Sequence, residues 1–352
     1  MSETLDKKDI RALSLNEIEN YFSENGEKKF RAKQVYEWLW QKSVHHFSEM
    51  TNLSKSTREL LEKNFCIQAV EIDSMQVSRD RTIKNAFRLY DGNMVEGVLI
   101  PTKTRMTACI SSQVGCSLTC KFCATGTMER LRNLNADEIY DQVVLIRNEA
   151  LEKYKTPLTN IVYMGMGEPL LNYKNVLESI DKITSPEGLN ISYQRITVST
   201  AGIAKMIKKL GDDKVKFNLA LSLHAANDEK RSKIMPINEQ NSLDALTEAL
   251  NYFYEKTETR ITYEYIIFKD FNDSLEDARE LVDFCKRTPC KVNVIEYNPI
   301  EGGEFEQTTN ERLEAFTNYL ESKNVIVNVR RSRGKDIDAA CGQLANKHKK
   351  TA

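Results

Sequence analysis

No apolar stretch in this 352-residue chain approaches the roughly 18 residues that a membrane-spanning helix needs. The opening residues, Met1-Ser-Glu-Thr-Leu-Asp-Lys-Lys8, are charged and no apolar segment follows them, so no secretory signal is expected. Neither sign of charge prevails. Fifty Lys and Arg stand against 51 Asp and Glu, a net charge of −1, and a balanced chain can still hold a local basic patch. Bulk charge therefore neither favours nor excludes a nucleic-acid partner. Internal repeats and low-complexity tracts are missing. The cysteines do not form two separated CxxC knuckles, the usual frame of a structural zinc site. Without a secretory signal, a disulfide framework is not expected either. What remains is a folded cytoplasmic protein, 41% hydrophobic and 29% charged, long enough for about two domains.

What the chain does have is Cys116-Ser-Leu-Thr-Cys120-Lys-Phe-Cys123. Three thiols in CxxxCxxC spacing can wrap one corner of a [4Fe–4S] cluster, leaving one iron without a protein ligand. The spacing resembles the cluster motif of the radical S-adenosylmethionine (SAM) superfamily. In that superfamily the amino and carboxylate groups of SAM occupy the open iron, and an electron from the cluster cleaves the sulfonium to release a 5′-deoxyadenosyl radical.

From Met106 onward, strand-like runs alternate with helical patterns. The strands are read at Met106–Ser111, Asn160–Met164, Arg195–Ser199, Lys216–Leu223, Ile261–Phe268, Lys291–Tyr297 and Val325–Arg330. The helices are read at Ala136–Tyr154, Tyr173–Ile183, Ile203–Leu210, Ser242–Lys256, Leu275–Lys286 and Glu311–Ser322. Asn135 with Glu138 reads as the cap of the first helix. Such alternation indicates βα units and a parallel sheet, hence an α/β partial (βα) barrel over residues 106–345 with its functional groups at the C-terminal ends of the strands. Residues 1–66 read as a small helical N-terminal domain, with helices at Leu15–Phe22, Lys33–Lys42 and Ser56–Asn64. Residues 67–105 read as a β-rich connector with strands at Val70–Val77, Thr82–Leu89 and Met94–Ile100, and residues 346–352 as a frayed basic tail.

Several stretches have both a bland and a chemical reading. Met164-Gly-Met-Gly167-Glu168-Pro169 can be an ordinary strand-to-helix turn, or a place where a ligand approaches the backbone and a carboxylate accepts from an ammonium group. After a three-cysteine loop it resembles the superfamily's "GGEP"-like SAM-binding stretch. Ser199, at the end of Arg195-Ile-Thr-Val-Ser199, and Ser222 with His224 in Ala220-Leu-Ser222-Leu223-His224 sit where barrel ligands bind, although a lone histidine is by default structural. Cys66, Cys285 and Cys290 read as small apolar residues. Cys341 fits that reading less well, because it lies beyond the last strand among small and acidic residues. A barrel that brings its last and first strands together lets Cys341 face Cys109. The basic and aromatic residues of Lys28-Lys29-Phe30-Arg31-Ala-Lys33 and the cluster Arg330-Arg331-Ser-Arg333-Gly-Lys335 are available for phosphate contacts, but such runs are usually solvated faces. Trp38 and Trp40 read as helix core.

Cys109-Ile-Ser-Ser-Gln-Val-Gly-Cys116, Met164–Leu171 and Asp338-Ala-Ala-Cys341-Gly-Gln-Leu344 together resemble the bacterial radical SAM methyltransferases that methylate C2 of adenine in 23S rRNA and tRNA. The likeness extends over nearly the whole chain. It implies a [4Fe–4S] cluster on Cys116, Cys120 and Cys123, two SAM per turnover, and SAM contacts from Gly167, Glu168, Ser199, Ser222, Leu223, His224 and Asn298. It also implies that Cys341 carries the methyl group and forms a covalent RNA adduct. Cys109 then resolves that adduct and leaves a disulfide. Glu96, in Val95-Glu96-Gly97, matches the family's proton acceptor, and without the likeness it reads as an exposed strand carboxylate. A reducing partner such as flavodoxin or ferredoxin and a monomeric state are further expectations. Two alternatives are a relative that methylates C8 of the same rRNA adenine, which typically has Ala where Pro169 stands, and a non-catalytic iron–sulfur RNA-binding protein, which would need neither Cys109 nor Cys341. Replacing Cys116, Cys120 and Cys123 together with Ala should abolish iron binding and the broad visible absorption of the anaerobically reconstituted protein; a triple variant that keeps a full cluster overturns the ligand assignment.

Overall fold

The computed structural model describes residues 7–346. Two short strands, β1 (Lys8–Asp9) and β2 (Phe65–Cys66), pair in parallel and bracket three helices, α1 (Leu15–Glu24), α2 (Phe30–Trp40) and α3 (Lys55–Asn64). Ser14 caps α1 by accepting from the Glu17 amide, while the Glu17 carboxylate accepts from the Ser14 amide, so two of the helix's orphan donors are satisfied reciprocally.

A meander of β3 (Glu71–Val77), β4 (Ile83–Arg88) and β5 (Met94–Pro101) runs antiparallel into β6 (Met106–Cys109). After a small hairpin of β7 (Gln113–Val114) and β8 (Arg132–Asn133), helix α4 (Ala136–Tyr154) begins the βα units. Then follow β9 (Asn160–Tyr163), α5 (Tyr173–Thr184), β10 (Ile196–Thr200), α6 (Ala204–Asp212), β11 (Asn218–Ser222), α7 (Asp228–Ile234) and α8 (Leu243–Thr257). The chain continues through β12 (Ile261–Ile267), α9 (Leu275–Cys285), β13 (Cys290–Glu296), α10 (Asn310–Ser322) and β14 (Val327–Arg330). One sheet of ten strands results, in the order β14-β13-β12-β11-β10-β9-β6-β5-β4-β3. Its β6-to-β14 part is parallel; the face covered by helices is apolar, whereas the interior face carries polar residues such as Thr197, Asn218, Thr262, Glu264 and Asn293 that line a chamber. The α/β partial barrel and most strand positions agree with the sequence reading; α7, β1, β2 and the β7–β8 hairpin were not anticipated.

The meander that leads into the barrel also continues its sheet. The barrel is incomplete, as the sequence reading expects: its first and last strands, β6 and β14, do not pair, and the edges of the sheet are β14 and β3. The gap is bridged instead by residues 331–346, which leave β14 and cross to the meander. Gly334 donates to the Asp80 carboxylate (2.9 Å), Ser78 and the Arg79 amide donate to Asp336 (2.5 and 3.1 Å), and Ala345 donates to Glu96 (2.9 Å). Asn346, expected to fray, donates from its side chain to the Met94 carbonyl (2.6 Å); the rest of the expected tail lies outside the described residues.

The N-terminal helices dock on α4. Trp40, 1% exposed, meets Tyr140 edge-on at 5.2 Å, and the Tyr140 hydroxyl donates to the Trp40 carbonyl. Trp40 is thus an interface residue as well as helix core. Beside it, the buried Arg11 guanidinium donates to both oxygens of Asp141 (2.8 Å each), to Asp137 (3.1 Å) and to the Gln68 carbonyl (2.9 Å). Removing one member of such a buried cluster leaves uncompensated charge in a low-dielectric site. Arg11→Ala should therefore destabilise the chain by about 3 kcal/mol, read as a lower urea midpoint; an unchanged midpoint would show that this cluster does not hold the N-terminal helices in place.

Candidate active site

The site lies at the C-terminal ends of the parallel strands. The cysteine loop leaves β7 through Gly115, whose φ of +75° and contact with the Glu129 carbonyl leave no room for a side chain. The loop winds back on itself, with the Cys123 amide donating to the Cys120 carbonyl (3.2 Å) and the Gly126 amide to the Cys123 carbonyl (2.9 Å). A Cβ on Gly126 would come within 2.7 Å of the Cys120 carbonyl oxygen. Phe122 anchors the loop in an apolar cluster with Met235, Phe268 and Tyr297. Cys116, Cys120 and Cys123 consequently face one cavity. Burial pushes the Cys116 thiol up to about 11 and raises Cys120 as well, so loading a cluster on these thiols must release protons. Three soft donors from one loop against an apolar shell fit a [4Fe–4S] cluster with one open iron.

The opposite wall of that cavity holds Gly167, Glu168, Ser199, Ser222 and His224. Gly167 has φ +94°, and a Cβ there would meet Gln113 at 2.5 Å, so both the backbone conformation and the close packing of Gln113 behind this strand end require glycine. Buried Glu168 accepts from the Leu170 amide (3.0 Å) and the Ala201 amide (2.8 Å). Burial raises its carboxyl, and these two donors offset part of the rise. Its oxygens keep lone pairs for an ammonium group. The Ser199 and Ser222 hydroxyls lie 3.3 Å apart. His224, at φ +57°, accepts the Ile266 amide on Nδ1 (3.0 Å), which leaves the proton on Nε2 and makes the ring a donor. Burial, with the Arg231 charge adding to it, lowers His224 to about 3. These residues fit the amino, carboxylate and hydroxyl groups of SAM.

Two expected contacts are not on the cavity surface. Leu223 is fully buried, its amide donating to the Glu264 carbonyl and its carbonyl accepting from Arg231. Asn298 instead supports the neighbouring loop, donating to the Cys341 carbonyl at 3.4 Å.

Cys341 reaches the site on the segment that bridges the sheet. The Ala124 amide donates to the Gly342 carbonyl (2.7 Å), and the Thr125 hydroxyl to the Leu344 carbonyl (2.6 Å). These bonds tie the Cys341 loop directly to the cysteine loop. Cys341 is exposed and lines the cavity; burial of its surroundings pushes its thiol up, while Arg330 pulls it down. Cys109 ends β6 and lines a second chamber that meets the first at Met164, Glu264, Ile295, Arg330 and Cys341. Burial, reinforced by the charge of nearby Cys341, raises Cys109 to about 12. The two cysteines share one continuous space. Glu96 is not the exposed carboxylate that its strand position suggested. It is wholly buried, 3.6 Å from the Lys84 ammonium, and it holds the Ala345 amide beside the Cys341 loop.

Sequence reasoning missed Arg231 and Glu264. Arg231, fully buried in α7, donates to the carbonyls of Ala201 (2.5 Å), Ser222 (3.2 Å) and Leu223 (3.1 Å), pinning the ends of β10 and β11. Nothing in its surface-like helix pattern announced this. Glu264 could have been noticed as a lone acid inside the apolar run Ile261-Thr-Tyr-Glu264-Tyr-Ile-Ile267. On the surface, the expected basic tract is partly neutralised: Arg331 and Lys335 pair with Glu296, and Arg333 with Asp80. Lys28, Lys29, Phe30 and Lys33 are exposed.

Comparison with known proteins agrees with this geometry. Residues 8–67 match the ribosomal RNA large subunit methyltransferase N-terminal domain, and residues 110–285 match the radical SAM superfamily. A probable dual-specificity RNA methyltransferase RlmN of Cytophaga hutchinsonii is 63% identical over 349 residues, covering 99% of this chain and 96% of the relative. This chain belongs to the dual-specificity RNA methyltransferase family. A second member, from Christiangramia forsetii, is 60% identical, with 97% of each chain covered. The crystal structure of a radical SAM methyltransferase from Sphaerobacter thermophilus superposes with a TM-score of 0.90 at 37% identity, over 96% of this chain and 99% of that one. As a family member the chain is a SAM-dependent RNA methyltransferase that uses a [4Fe–4S] cluster and SAM.

His224 makes the fold acid-sensitive. Its folded value, about 3, lies below the ordinary histidine value, so the stability it contributes is present above about pH 6.5 and is lost as pH falls toward 3. Between pH 7 and pH 5 the cluster-free chain should lose roughly 2 kcal/mol that His224→Gln does not lose. Urea titrations at both pH values test this; equal losses in the two proteins would refute a buried neutral His224.

Proposed function

We propose that this chain methylates C2 of adenine in 23S rRNA and tRNA through a methylated Cys341 and a covalent RNA–protein adduct. The observation that carries the reading is the placement of Cys341. The bridging segment holds it by two hydrogen bonds against the cysteine loop and opens it toward the chamber that contains Cys109. When bound, the cluster and two SAM per turnover supply the reducing electron and the methyl group. Cys116, Cys120 and Cys123 hold the cluster, and Gly167, Glu168, Ser199, Ser222 and His224 hold SAM, with Leu223 and Asn298 shaping the site from behind. Cys341 carries the carbon to be transferred. Glu96, paired with Lys84 and holding the Ala345 amide beside the Cys341 loop, accepts the proton lost from C2. Cys109 attacks the Cys341 sulfur to free the product.

C2 of adenine is electron-poor, so an ordinary methyl displacement has no nucleophile there, which is why a radical route through cysteine suits the substrate. The target base must leave its stack to enter the chamber. Exposed Lys28, Lys29 and Lys33 with Phe30 offer backbone contacts that position an RNA without reading its sequence, which suits two RNAs of similar local shape. We place the enzyme in the cytoplasm as a monomer that takes its electrons from a flavodoxin or ferredoxin; among the described residues no helix is long and apolar enough to cross a membrane.

The test is complementation of a deletion strain with wild-type, Cys341→Ala and Cys109→Ala chains. Wild type should restore 2-methyladenosine to both RNA pools by nucleoside mass spectrometry. Cys341→Ala should give neither product nor adduct. Cys109→Ala should trap RNA on the protein in a denaturing gel. Free Cys109→Ala protein with normal product would refute the cysteine roles, and 8-methyladenosine in place of 2-methyladenosine would refute the position of methylation.

A further inference from the structure

Glu264 sits at the neck between the two chambers and lines both. It is 4% exposed. Its Oε1 accepts from the Asn293 side chain at 2.7 Å, whereas Oε2 is buried with no hydrogen-bond partner among the described residues. A buried carboxylate oxygen without a donor is costly, and one that lines a substrate-sized chamber is placed to take its donor from a ligand. Cys341 and Arg330 share the same neck. Below it, the second chamber encloses about 540 Å³ and is lined by Arg105, Arg195, Lys291 and Arg330, with Glu264 the one acidic side chain among the described lining residues. Such a chamber attracts a polyanion, yet where it meets the first chamber it presents an acceptor.

We infer that Glu264 reads the exocyclic amino group of the target adenine, and so selects adenine for attack at C2; this rests on the RNA methyltransferase reading above. Adenine carries an amino donor at C6 where guanine carries a carbonyl oxygen. The Oε2 acceptor pairs with the first and repels the second. N1 lies between C6 and C2 in the purine ring, so a base whose amino group is held at the neck has C2 on the side of the ring that also faces the neck, where Cys341 stands. The basic side chains of the lower chamber take the flanking phosphates. The strand supplies the rigidity that selection needs: Glu264 is in mid-β12, between β11 and β13, and Asn293 on β13 fixes its rotamer.

The experiment measures equilibrium binding of a cluster-loaded, full-length chain to two RNA stem-loops that differ at the single unpaired target position. One carries adenosine there and the other purine riboside, which lacks the amino group. Wild type should bind the adenosine RNA roughly ten- to a hundredfold more tightly, the range of a hydrogen bond to a charged group. Glu264→Ala should bind both RNAs equally and weakly while keeping wild-type SAM affinity. Glu264→Gln, a neutral acceptor of the same shape, should retain a discrimination of about two- to tenfold and serves where the Ala variant fails to fold. Discrimination that survives in Glu264→Ala overturns the inference, as does a wild type that binds the two RNAs alike. A Glu264→Ala variant that loses SAM affinity instead would assign the residue to SAM. Failure of wild type to bind either RNA would remove the RNA reading itself, and the inference with it.

Discussion

The hydrogen bonds from the Ala124 amide to the Gly342 carbonyl and from the Thr125 hydroxyl to the Leu344 carbonyl join the two loops on which the chemistry depends. They are needed because the sheet does not close. With β14 and β3 as its edges, the barrel has an open side, and open sheet edges are sites of unsatisfied backbone groups. The segment after β14 spans that side, anchored on Asp80, Ser78 and Glu96 of the meander region. The same bridge that covers the gap delivers Cys341 to the cavity. Stability and function thus use one piece of chain, and the three meander strands have a purpose beyond extending the sheet: they hold the far end of the bridge.

The interior holds several charges that water would otherwise solvate. Each is compensated differently. Arg231 is answered by carbonyls at two strand ends and by Asn238, so a full positive charge is spread over backbone dipoles near the SAM wall. Glu96 is answered by Lys84 and a backbone amide. Glu168 is answered by two amides. Glu264 accepts a hydrogen bond on one oxygen only, with the Arg330 charge beside it. The first three arrangements set geometry. The fourth leaves an interaction for something that is not part of the chain, at the point where the two chambers meet.

The N-terminal helices pack on α4, and α4 also holds the segment that follows β6. Arg11 and Trp40 press on Asp141 and Tyr140 of that helix, and one turn of it supplies Gln142, whose side chain accepts from the Ser111 amide and donates to the Ser111 carbonyl just beyond Cys109.

Much of this was legible in the chain itself. Local periodicity reports local structure, so Ala136–Tyr154 and the strands of the parallel sheet could be placed to within a few residues. The cluster motif lies within eight residues, and a three-thiol ligand set with one iron left open follows from its spacing, whereas the SAM chemistry is what the family resemblance implies. Groups that depend on distant partners were not legible. Glu96 looked exposed because nothing near it in sequence reveals Lys84 on the neighbouring strand or the bridge above it. Trp40 looked like helix core because α4 is a hundred residues away. The alternation of strands and helices determined a partial barrel but not what covers its open side, which depends on contacts between segments at opposite ends of the chain. That the segment after β14 spans that side and brings Cys341 to the site was decided only by the tertiary structure, because hydrogen bonds between residues more than two hundred positions apart leave no local trace in the sequence.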